Sequence, residues 1–128
     1  MYFPLPIHLA KKLSEGQSPQ KIEMLPGVLE MLILKSLERN AEPMPGHGIA
    51  LYLRQISSDV LQVEEGSLYP VLKRLARKGR VTTKWGQSDC NRRARFYTLT
   101  PAGRKHLWQQ VADFERAVEA IMLVLQPA

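Results

Sequence analysis

The sequence predicts a mainly α-helical protein with one small β-hairpin and a long last helix, and three observations predict it. Helical apolar spacing recurs in three successive segments, at 26–40, 46–57 and 67–78. Two short segments with strand alternation follow, at 80–85 and 93–99. A final segment then places Leu107, Val111, Phe114, Val118, Ile121 and Leu125 at spacings of 4, 3, 4, 3 and 4 residues, an unbroken heptad pattern. The 128 residues suit one compact domain, and the apolar fraction of 45% and charged fraction of 23% are ordinary for a globular chain.

Residues 1–24 read as an irregular N-terminal arm, because Pro4, Pro6, Gly16 and Pro19 interrupt any long element. The first helix begins near Pro26, which suits a first turn where a missing N–H costs nothing. Val28, Leu29, Leu32, Ile33 and Leu37 form its stripe, widened by Met31 and Leu34. So wide an apolar face predicts a central, mostly buried helix. Two prolines and a glycine in "AEPMPG" break it. The second helix, Gly46 to Ser57, puts Ile49, Leu53 and Ile56 on one face, joined by Tyr52.

Ser67 is the expected N-cap of the third helix, with Pro70 in its first turn and Gly79 as the terminating C′ residue. In the hairpin, Val81, Thr83 and Trp85 alternate with Arg80, Thr82 and Lys84, and Arg95, Tyr97 and Leu99 alternate with Ala94, Phe96 and Thr98. The stretch "GQSDCNR" supplies the turn. Thr100 as N-cap and Pro101 at the first position start the last helix. A strict heptad at the chain end predicts pairing with a second copy, with Leu107, Val111, Phe114, Val118, Ile121 and Leu125 as the dimer interface.

Charge distribution points to a polyanion. From Lys73 to Arg95 there are nine bases and one acid, a net +8, whereas the remaining chain carries nine bases and eleven acids, a net −2. On a wheel of 100° per residue, Leu68, Val71, Leu72 and Leu75 share one side of the third helix, and Tyr69, Pro70, Lys73, Arg74 and Arg77 fall opposite. Three helices followed by a hairpin, with such a third helix, is the order of a winged helix-turn-helix. The division expected is an arm at 1–24, a DNA-binding domain at 25–99 and a dimerisation helix at 100–126. The third helix would enter the major groove of double-stranded DNA, Ser67 and the helix start would hold a phosphate, and Lys84, Arg92 and Arg93 of the wing would reach the flanking backbone. Arg95 ranks below these because it alternates with the inward Tyr97 and Leu99.

The stretches "LPGVLEMLILKSL", "EEGSLYPVLKRLARKG" and "RRARFYTLTPAGRKHL" resemble the PadR-type transcriptional regulators over about residues 25–125. The resemblance is to the subfamily with a single C-terminal helix. It implies a winged-helix homodimer that usually represses a promoter and often responds to a small molecule. Relatives commonly carry His-Gly-Tyr where this chain has Pro45, Gly46 and His47, so no role of that Tyr carries over. Some relatives bind flat aromatic ligands at the dimer interface. Trp108, beside the heptad seam, is therefore either a rim residue over the hairpin or first helix, the reading preferred here, or the wall of a pocket for a small aromatic effector.

Other classes find little support. Ser67 lacks the elbow of a G-x-S-x-G nucleophile, and His8, His47 and His106 are spaced for neither a triad nor a metal. No P-loop is present and no cofactor is implied. Cys90 is the only cysteine, which fits a reducing compartment such as the cytoplasm; at the wing tip near Arg92 and Arg93 it reads as a tolerated exposed thiol ahead of a redox-sensitive one. No apolar run reaches membrane-spanning length, and the N-terminus lacks the pattern of a secretory signal. The competing reading is a protein-interaction module holding an acidic partner on the same basic face. It predicts only non-specific affinity for DNA, where a regulator discriminates by about 10³ or more.

Overall fold

The computed structural model describes residues 26–89 and 91–127. The N-terminal arm and Cys90 lie outside the described residues. Four helices and three strands follow in the order α1 (Pro26–Arg39), β1 (Met44–Pro45), α2 (Gly46–Ile56), α3 (Glu65–Arg77), β2 (Val81–Gln87), β3 (Arg93–Leu99) and α4 (Pro101–Leu125).

Helix α1 is the centre of the core. Its Ile33 and Leu34 are fully buried, with Leu29, Met31 and Leu37 nearly so. The wide stripe seen in the sequence is needed because α2, α3 and α4 all pack on α1. From α2 come Ile49 and Leu53, from α3 Leu68, Val71, Leu72 and Leu75, and from α4 Leu107. Ile56, expected on the buried face of α2, is exposed, because the helix ends there and the chain turns away. Ser58 closes that end in the left-handed region at φ 53.

Helix α3 starts three residues before the position read from the sequence. Its N-cap is Glu64, whose side chain makes no capping hydrogen bond, and Glu65 places an acidic group at the positive end of the helix. Ser67 is thus the third helical residue, its amide bonded to the Glu64 carbonyl at 3.0 Å, and not the cap. Pro70 is accordingly the sixth residue and lies inside the helix. Its missing N–H removes the bond to the Gly66 carbonyl, on an exposed stretch that water reaches.

Gly79 ends α3 as expected. At φ +73 it occupies the left-handed region, its amide bonds Ala76 O at 3.1 Å, and the Arg80 amide bonds Leu75 O at 3.0 Å. That pair of bonds is a Schellman motif. Strands β2 and β3 pair antiparallel, with Val81 opposite Leu99 and Gln87 opposite Arg93. A third strand was not foreseen: Met44 and Pro45 pair with Tyr97 and Phe96, giving the order β1-β3-β2. Two residues have no periodicity to read, and at a sheet edge the proline withholds no bond the ladder requires.

Thr100 joins the hairpin to α4. Its Oγ1 accepts from the Gly103 amide at 3.0 Å and donates to the Gly79 carbonyl at 2.7 Å, while its amide bonds Arg80 O at 3.2 Å. Gly103 is needed for close approach, since a Cβ there would overlap the Arg80 carbonyl oxygen. Helix α4, about 37 Å long at 1.5 Å per residue, buries only its first part. Leu107, expected at the dimer seam, is instead fully buried in this chain's own core, and Val111 packs partly against it. Phe114, Ile121 and Leu125 are exposed. Among the described residues no helix is long and apolar enough to cross a membrane. Gly103→Ala is expected to cost about 1–3 kcal/mol in urea denaturation by forcing α4 off Arg80. Thr100→Ala should cost about 1 kcal/mol as a lost cap.

Candidate nucleic-acid interface

The apolar side of α3 is committed to the core, which leaves its other side outward. Tyr69, Lys73 and Arg77 are exposed there. They line a groove of about 560 Å³ together with Ala76 of α3 and Thr83, Arg95 and Tyr97 of the hairpin. The strand register explains which hairpin residues face it. Thr83 is opposite Tyr97 and Trp85 opposite Arg95, so these four share one face of the sheet. At the base of the hairpin that face is buried, through Val81 and Tyr97; farther out it passes the end of α3 and opens. The strand alternation read from the sequence matches this pairing, and Thr83 and Trp85 are exposed on that face.

Two tyrosines form the floor. Burial pushes the Tyr69 hydroxyl above its ordinary value, and the charge of Glu65 adds to the effect. Burial also raises Tyr97, against the opposing pull of Arg95, with Tyr69 raising it further. Both are neutral phenols and retain a proton to donate. Tyr69 lies against the start of α2: a Cβ on Gly46 would come within 2.7 Å of its ring. Gly46 is thus the residue that admits Tyr69.

The structure brings together some of the residues expected to touch DNA and separates others. Tyr69, Lys73 and Arg77 converge on the groove with Arg95, which is exposed and not buried under the wing. Its alternation with Tyr97 was the available signal, misread as burial. Arg93 shares that face through Trp85, with its guanidinium 4.5 Å from the indole centroid. Lys84 is opposite Phe96, on the other face of the hairpin. Arg92 is exposed in the turn, where its carbonyl accepts from the Ser88 amide at 2.8 Å. Ser67 and Pro70 are exposed in the first half of α3.

Arg74 departs from the expectation. About 110° from the centre of the apolar stripe by helical geometry, it turns back toward α1, with its Nε 3.9 Å from Oε2 of Glu30. Glu30 is buried and also accepts from Arg80 at 2.8 Å, with His106 Nε2 3.2 Å away. Arg74 therefore faces an internal carboxylate at ion-pair distance while 36% of its side chain stays exposed. Among the described residues there is no group of three or more His, Cys, Asp or Glu that could hold a metal ion.

Comparison with known proteins identifies this architecture. The model of the transcriptional regulator PadR-like family matches residues 33–109, from the middle of α1 to the third turn of α4. The chain belongs to the PadR-like family. Similar solved structures include a transcriptional regulator from Clostridium thermocellum, 23% identical, covering 78% of this chain and 95% of that one with a TM-score of 0.70. A PadR-like transcriptional regulator from Bacillus cereus is 25% identical, covering 82% and 98%, with a TM-score of 0.66. A PadR family transcription regulator from Clostridium difficile is 23% identical, covering 77% and 98%, with a TM-score of 0.62. No curated protein sequence matches the chain. Membership makes the protein a DNA-binding regulator of transcription and not an enzyme.

In this PadR-like chain Trp108 sits on the rim over the first helix and is 60% exposed. Its Nε1–H donates to Glu38 of α1 at 2.8 Å, and Glu38 also accepts from Lys35 at 2.7 Å and Arg104 at 3.4 Å. These donors hold the Glu38 carboxyl below its ordinary value of 4.5, the Lys35 hydrogen bond first, against the opposing effect of partial burial. A depressed carboxylate contributes stability above its unfolded pKa and loses it as pH falls through the folded one. The stability difference between wild type and Glu38→Gln should therefore hold steady from neutral pH to about 5 and shrink below 4.5. Trp108 fluorescence should change over the same interval; a difference flat to pH 2 would contradict the assignment.

Proposed function

We propose that the chain is a homodimeric repressor that places α3 in the major groove of a near-palindromic operator, with the wing along the adjacent backbone. The observation that carries this reading is the convergence of Tyr69, Lys73 and Arg77 with Arg95 on one groove between α3 and the hairpin. Arg and Lys on an outward helix face match guanine edges, and a neutral Tyr matches a phosphate. Ser67 and Pro70 lie along the same helix, and Arg93, with Arg92 in the turn and Lys84 on the far face of the hairpin, adds positive charge to the wing. Arg74 lies on the same helix, part-exposed, with its charge partly taken up by Glu30.

The exposed end of α4 supports the dimer. Phe114, Val118, Ile121 and Leu125 continue one heptad stripe beyond the chain's own core, and exposed apolar surface of that extent marks an interaction site. Two copies joined there would present two recognition helices to successive major grooves, one helical turn or a multiple apart. Relief by a small aromatic effector completes the reading, with the exposed Trp108 ring as one wall of its site. Planar aromatic compounds would then quench Trp108 fluorescence.

Selection of bound sequences from random DNA tests the whole, and a near-palindromic motif is expected. Lys73→Ala and Arg77→Ala should each weaken binding to the selected sequence by about 1–3 kcal/mol, and loss of a phosphate contact should lower the salt slope by about 1. Arg77→Ala with unchanged affinity and slope would remove the recognition-face assignment. Phe114→Asp should give a folded monomer by sedimentation, since Phe114 is 41% exposed in the single chain.

A further inference from the structure

Trp85 is a large aromatic residue on the wing with 51% of its surface exposed. Two guanidinium groups lie over its ring, Arg93 at 4.5 Å and Arg95 at 4.9 Å from the centroid. The register accounts for both: Arg95 is the direct cross-strand partner of Trp85, and Arg93 is its diagonal neighbour on the same face. That face is the one turned toward α3, and Arg95 also lines the groove with Lys73 and Arg77.

Stacking on an aromatic face leaves the in-plane N–H donors of a guanidinium available, so a stacked arginine still grips a phosphate. It also restricts the side chain beforehand. Immobilising a long side chain on binding costs conformational entropy, and prior stacking reduces that cost.

We propose that Trp85 is a positioning residue for DNA: its indole holds Arg93 and Arg95 on the inner face of the wing and so extends the cationic groove of Lys73 and Arg77 into one track for a single phosphodiester strand. The inference rests on the proposed DNA interface and specifies its wing half.

The test is fluorescence anisotropy of the full-length protein over a series of salt concentrations, on the selected operator and on a random-sequence duplex of equal length. Trp85→Ala should weaken binding to both duplexes by about 5- to 30-fold, the size of two exposed cation–π contacts. Its salt slope should fall by up to about two, because two phosphate contacts depend on the platform. Trp85→Phe, which keeps a π face, should restore most of the affinity, whereas Trp85→Leu should not. In an Arg93→Ala/Arg95→Ala background, Trp85→Ala should have no further effect. Wild-type affinity and slope for Trp85→Ala, or rescue by Leu equal to that by Phe, would overturn the proposal while Arg77→Ala still weakens binding. If Arg77→Ala also binds like wild type, the interface reading fails and this inference with it.

Discussion

A single buried carboxylate organises the molecule. Glu30 lies in the central helix with its side chain only 8% exposed, and three cationic or potentially cationic groups reach it from three elements: Arg74 of α3, Arg80 at the start of the wing and His106 of α4. A carboxylate removed from water is costly unless it is paired and hydrogen-bonded. Burying Glu30 therefore requires these elements to converge at one point. Apolar packing would tolerate some sliding between helices, whereas a 2.8 Å bond from Arg80 does not. The Schellman motif at Gly79 serves the same constraint, because it turns the chain so that Arg80 follows α3 directly and faces back into the molecule.

This arrangement divides the basic segment into parts that charge counting cannot distinguish. Arg74 and Arg80 belong to the interior ion cluster. Lys73, Arg77 and Arg95 belong to the groove, with Arg93 beside them through Trp85. Lys84 is on the far face of the hairpin and Arg92 in its turn. The nine bases are thus spread over several surfaces, and two of them, Arg74 and Arg80, also pair with Glu30 in the scaffold. A field several residues wide attracts DNA; register and strand pairing decide which cations meet it.

What was legible in the sequence follows from where each signal resides. The order of the helices, the hairpin, Gly79 and the Thr100–Pro101 start are local, carried by apolar period and by residues with particular backbone preferences. The family resemblance was legible for the same reason, since its motifs are these local signals in order. The misplaced features depend on partners distant in the chain. Arg74 looks outward on a helical wheel, and only Glu30, 44 positions earlier, draws its guanidinium toward α1. Leu107 fits a heptad, yet the depth of its site under α1 decides that it is core. Ser67 is a better cap by composition than Glu64, but the packing of Leu68 and Val71 sets where the helix lies. Strand β1 exists only because β3 offers an edge to it.

Helix α4 illustrates how these constraints connect. Its first turns are locked by Thr100, Gly103 and Leu107, so its axis cannot tilt independently of the end of α3 and the start of the wing. Its later turns carry exposed apolar residues. In the proposed homodimer, the way two α4 helices pair would therefore set the distance and angle between the two α3 helices, with little slack in between. The shared root also gives a physical route for regulation. In the proposed reading, a ligand that altered how α4 helices pair would change the spacing of the two α3 helices through this shared root.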